Sequence, residues 1–70
     1  MTALFQQLDG ELPIPLSAQI ACVEREIAMR LRVYPRWVAD KKMTLAKADS
    51  EIAAMRAVLR TLVEVAGDRA

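Results

Sequence analysis

The sequence predicts an all-α protein: a two-helix antiparallel hairpin with an N-terminal arm, dimerising into a four-helix bundle. Three observations lead there. Apolar residues make up 54% of the chain, the strong helix formers Ala, Leu, Arg, Glu, Met and Lys dominate it, and only two Gly occur. Apolar residues recur at steps of three and four through two segments separated by a short break. The second segment is apolar well beyond the stripe that one facing helix covers.

A chain of 70 residues makes one small domain. A core of that size is marginal without a disulfide, a metal or a partner chain. The chain has one Cys, Cys22, and no His. Neither an internal disulfide nor a Cys/His zinc site can be written, so oligomerisation is the remaining support.

The arm spans residues 1–16. Thr2 can cap a short turn that places Leu4, Phe5 and Leu8 on one side, and Asp9-Gly10 signals a turn. In "ELPIPL", Pro13 and Pro15 push Leu12 and Ile14 toward extended geometry. The aliphatics of this arm are expected to lie along a helical groove, on the chain's own hairpin or on the partner subunit.

The hairpin spans residues 17–70. Its first helix is expected over about 17–34, with Ser17 as N-cap and Leu16 at the staple position. Ile20, Val23, Ile27, Arg30 and Tyr34 follow alternating steps of three and four. Pro35 disfavours helical geometry at Tyr34, which predicts a corner over 35–43, or a new turn opened by the proline itself. The second helix is expected over about 44–66, with Thr44 as N-cap and Gly67 as the C′ residue. Leu45, Ala48, Ile52, Met55, Leu59, Leu62 and Ala66 keep the three-four spacing without a break. That is the a/d pattern of a helix-pairing seam. The expected dimer and core seam is Ile20, Val23, Ile27, Leu45, Ile52, Met55, Val58, Leu59 and Leu62.

Catalysis finds no support in the residues. Cys22, Ser17 and Ser50 have no His to act as base, and Cys22 reads as a buried structural thiol. Glu24 and Glu26 point to different faces of a helix. No phosphate loop or calcium loop is present, so no catalytic residue, cofactor or metal is expected. No run of apolar residues is long enough for a membrane span, and the start of the chain lacks the pattern of a signal peptide. The expected compartment is the cytoplasm, with the thiol reduced.

The net charge is +1, but it is unevenly spread. Residues 1–24 carry Asp9, Glu11 and Glu24 and no base, a net −3. Residues 25–47 carry seven bases against Glu26 and Asp40, a net +5. The basic stretch holds the chain's Tyr and Trp in "RVYPRWVADKKM". Trp, Tyr and Arg are the residues enriched at binding hot spots. The expected partner-binding residues are therefore Tyr34, Arg36, Trp37, Lys41 and Lys42, flanked by Arg30 and Arg32. Part of this stretch also has a structural reading, with Trp37 capping the open end of the core. Basic residues interleaved with aromatics also suit nucleic acid, but a total of +1 is low for a committed binder, so nucleic acid ranks behind protein.

Residues 20–62 resemble small uncharacterised proteins encoded by bacteriophages and prophages, in which a "REIAMR" segment precedes a "YPRWV" corner and a "KA..EIAAM.AVL" helix. Tyr34, Pro35, Trp37 and Val38 form the centre of the likeness. The resemblance implies a viral origin and no catalytic motif. It also implies a function class, since small phage proteins often bind a host bacterial protein and block it. Transcriptional activators such as quorum-sensing regulators, and motility motors, are targets of that kind. The expected function is thus a homodimeric anti-activator or other modulator of a host protein. A small DNA- or RNA-binding regulator and a phage structural or assembly factor are the alternatives.

Overall fold

The computed structural model describes residues 13–69. They form two helices, α1 (Leu16–Ala39) and α2 (Leu45–Arg69), and no strand occurs among the described residues. The two helices pack on each other as a helical hairpin. Residues 1–12 of the expected arm lie outside the described residues. Of the rest of the arm, Pro13, Ile14 and Pro15 are exposed, and Leu16 is already helical.

The start of α1 differs from expectation. Its N-cap is Pro15 rather than Ser17, with φ −61° and ψ 151° and no capping side chain. The Pro15 carbonyl accepts the N–H groups of Ala18 and Gln19, each at 3.1 Å. A proline at this position loses no hydrogen bond, because the N–H groups at a helix start have no partner within the helix. Gln19 Nε2 adds a bond to the Ile14 carbonyl at 3.0 Å, which ties the extended segment to the first turn.

The end of α1 also differs. The helix does not stop at Tyr34 but runs through Pro35 to Ala39, so the corner expected over 35–43 shrinks to residues 40–44. The local bias of a residue before proline against helix is real. It loses here to packing, because Tyr34 is one of the few buried side chains of the hairpin, and its helical position is what buries it against α2. The three-four repeat continues to Val38, which is also partly covered. Without an N–H on Pro35, the Leu31 carbonyl has no donor four residues on.

The turn that follows is closed by the backbone. Lys42 N–H donates to the Trp37 carbonyl at 2.9 Å and Lys41 N–H to the Val38 carbonyl at 3.0 Å, with Asp40 as C-cap. These two bonds are the Schellman arrangement. Its C′ residue must take left-handed geometry, and Lys41 does so at φ 61°, a position where Gly is the usual occupant. Thr44 then caps α2 as expected: its Oγ1 accepts the Lys47 N–H at 3.1 Å, and its carbonyl accepts the Ala48 N–H at 3.0 Å. At the far end, α2 continues past residue 66 to Arg69, so Gly67 lies inside the helix instead of serving as C′. Its φ is not positive, and open space surrounds the place a Cβ would take, so nothing at this position requires glycine.

Among the described residues Ile27, Tyr34 and Ala48 are buried, Ile27 at the middle of α1 and the other two near the turn. Ile20, Val23, Ile52, Met55, Leu59 and Leu62 are half-buried and extend the seam along both helices. Leu45 and Val58 do not join it, at 63% and 45% exposed. The hairpin measures 42 × 32 × 15 Å, a single layer of helices. No side chain among the described residues is fully buried. Stable domains bury their apolar stripes between at least two packed layers.

Candidate functional site

The two open sides of the layer differ in chemistry. One side is crossed by a row of charges. Arg30 Nε donates to Glu26 Oε1 at 3.0 Å on its own helix, and Arg30 Nη1 reaches Glu51 Oε1 on α2 at 3.5 Å. Lys47 Nζ meets the other oxygen of Glu51 at 3.3 Å. The bond to Glu26 raises the pKa of Arg30 above its ordinary value, on a guanidinium that is always charged at physiological pH. The Arg30 guanidinium carbon also lies 6.0 Å from the centre of the Tyr34 ring, within cation–π range. Tyr34 in turn meets Trp37, with ring centres 5.6 Å apart and planes tilted by 34°. Trp37 is thus held from behind while 41% of its surface stays exposed.

The other side is an apolar cleft of about 330 Å³. Leu31, Pro35 and Val38 of α1 and Leu45 and Ile52 of α2 form its walls, with Tyr34 and Ala48 at its base. Leu31 and Leu45 are 48% and 63% exposed, large values for leucines so close to a core. Asp49 and Arg30 also stand among the lining residues, so the central cation of the charged row reaches the cleft.

The end of the hairpin at the turn carries a third surface. Lys41, Lys42 and Lys47 line a wide depression together with Val38, Met43, Thr44 and Leu45. Lys41 and Lys42 make no ion pair among the described residues, and Arg36 in the last turn of α1 makes none either. The start of α2 opens here, adding the positive end of its dipole. Exposed Trp37 lies on the last turn of the helix that ends at this depression.

These placements divide the residues expected to bind a partner. Arg36, Trp37, Lys41 and Lys42 are exposed and lie at the turn end. Arg32 is exposed farther along α1. Tyr34 is buried and Arg30 is engaged with two carboxylates, so both support the surface from within. Trp37 does not close off the core but stacks on Tyr34 with its outer part free. Cys22, expected to be buried, is exposed, because it falls on the face of α1 turned away from α2. The cleft was not singled out from sequence. Leu31 stood beside the seam in the sequence, and Leu45, read as a seam residue, lines the cleft instead.

Among the described residues no helix is long and apolar enough to cross a membrane. The chain matches no protein-family model, no curated protein and no solved structure.

Proposed function

We propose that this chain is a non-enzymatic interaction protein: a homodimeric four-helix bundle whose turn ends dock on an acidic surface of another protein and change that protein's activity. The observation that carries this reading is the depression at the turn end lined by Lys41 and Lys42, together with an exposed Trp in the last turn of α1 that is braced from behind by Tyr34. An exposed, braced aromatic at the same end of the hairpin as lysines unpaired among the described residues suits an acidic protein surface with an apolar pocket. Docking through a preformed surface loses little entropy, and the cations speed encounter with an acidic partner. If the phage-like wording of residues 20–62 reflects origin, the partner is a host bacterial protein met in the host cytoplasm, and block of an activator or a motor fits a small binder without chemistry of its own.

The test is capture from bacterial lysate by the full chain, with identification by mass spectrometry and repeat binding with the purified target. Trp37→Ala/Lys42→Glu, folded by circular dichroism, should lose the target. Equal capture by the variant would place the binding surface elsewhere. The same lysines also favour a second reading, binding to nucleic acid. A mobility shift that weakens steeply with salt would replace the protein-partner reading, and no shift at micromolar protein would remove the alternative.

A further inference from the structure

We infer that the apolar cleft is the seat of a second copy of this chain, set antiparallel so that α2 of each protomer lies along α2 of the other. This rests on the reading of the chain as a homodimer and names the face and register of that dimer.

The choice of face follows from the contrast between the two sides of the layer. The Glu26–Arg30–Glu51–Lys47 row covers one side with charges that already have partners. Placing that side in an interface would desolvate them. The other side holds the cleft and its exposed leucines, and of the charged row only Arg30 reaches its lining.

The register follows from α2. At about 100° per residue, Leu45, Ile52 and Val63 lie roughly 40–60° to one side of the direction in which Ala48 faces α1. In a four-helix bundle that diagonal direction points to the common core. Leu45 and Val63 are 63% and 51% exposed in the single hairpin, so the described residues do not cover them. Beyond them, at roughly 80–120°, stand Asp49, Arg56 and Arg60. All three are exposed, and none makes an ion pair among the described residues.

The charges order this strip: the acid is near the start of α2 and the bases are near its middle and end. Parallel alignment of two such strips would set like against like. Antiparallel alignment about a two-fold axis level with residue 54 sets Asp49 between Arg56 and Arg60 of the partner subunit, twice by symmetry. The same register brings Leu45 against the partner's Val63, so that each cleft receives the far end of the other α2. The two most exposed apolar side chains of α2 are thereby covered together.

The experiment uses the full chain. In a Cys22→Ser background, Leu45→Cys/Val63→Cys should oxidise to a covalent dimer on a non-reducing gel, and neither single cysteine variant should. The two thiols are about 27 Å apart along one helix, so they cannot bridge within a chain. Absence of the covalent dimer, or equal cross-linking by a single variant, overturns the register. Charge reversal gives an independent reading: Asp49→Arg should raise the dimer dissociation constant by about tenfold or more, and Asp49→Arg/Arg60→Asp should restore it. A dimer indifferent to both changes overturns the placement and leaves the dimer itself standing. A chain that stays monomeric at every concentration tested, as it would if residues 1–12 of the same chain filled the cleft, overturns both.

Discussion

Lys41 offers a sharp test of how the turn is built. It sits at φ 61° as the C′ residue of α1. Left-handed geometry costs an L-residue roughly 1–2 kcal/mol, and glycine escapes that cost. Glycine also has more freedom to lose on folding, which takes back roughly 0.5–1 kcal/mol. Lys41→Gly should therefore stabilise each chain by about 0.5–1 kcal/mol, a rise of about 3–6 °C in Tm for a domain of this size. Lys41→Val, β-branched and worse in this region, should destabilise by about 1 kcal/mol or more. Thermal melts by circular dichroism at one fixed chain concentration would measure both, since association makes Tm concentration-dependent. The two variants also separate structure from function. Lys41→Gly gains stability while removing one cation from the proposed docking surface, so partner affinity should fall as Tm rises. A Tm for Lys41→Gly at or below the parent value would refute the left-handed assignment and the turn built on it.

Three further predictions concern the helices. Thr44→Ala removes the acceptor of the Lys47 N–H and should cost about 1 kcal/mol, read as an earlier urea midpoint with unchanged slope; no change would mean the cap carries no stability. Pro35→Ala restores a donor for the Leu31 carbonyl inside α1 and should stabilise the chain by on the order of 2 kcal/mol; a loss of stability in the same titration would show that the proline is needed where it stands. Leu59→Asp places a carboxylate on the half-buried seam and should cost on the order of 3 kcal/mol, seen as unfolding or dissociation; a normal melt would contradict the packing along the open half of the hairpin.

The second helix was readable because its information is periodic. Ala48, Ile52, Met55, Leu59 and Leu62 keep one spacing, and all of them are buried or half-buried. Thr44 was readable because a capping hydroxyl acts within three residues of itself. Pro35 misled because its local effect on Tyr34 is opposed by a contact 14 residues away, between Tyr34 and the region of Ala48, which no local rule contains. Ser17 and Gly67 misled for a related reason: both are favourable terminal residues, but α1 is capped earlier, by Pro15, and α2 ends later, at Arg69. At the turn end, composition identified the exposed group of Arg36, Trp37, Lys41 and Lys42. It did not separate Tyr34 and Arg30, although the three-four repeat had already placed both on the inner side of the first helix. The left-handed turn at Lys41 carried no sequence signal, because Gly or Asn usually marks that position and lysine does not.

The central claim is that a single 15 Å layer of two helices is half of the working molecule. Sedimentation equilibrium of the full chain over a range of concentrations tests it most directly. The prediction is a single species of twice the 7.8 kDa chain mass at high concentration, dissociating reversibly on dilution and shifted toward the monomer by Asp49→Arg. A folded, helical species that keeps the mass of one chain throughout would contradict it.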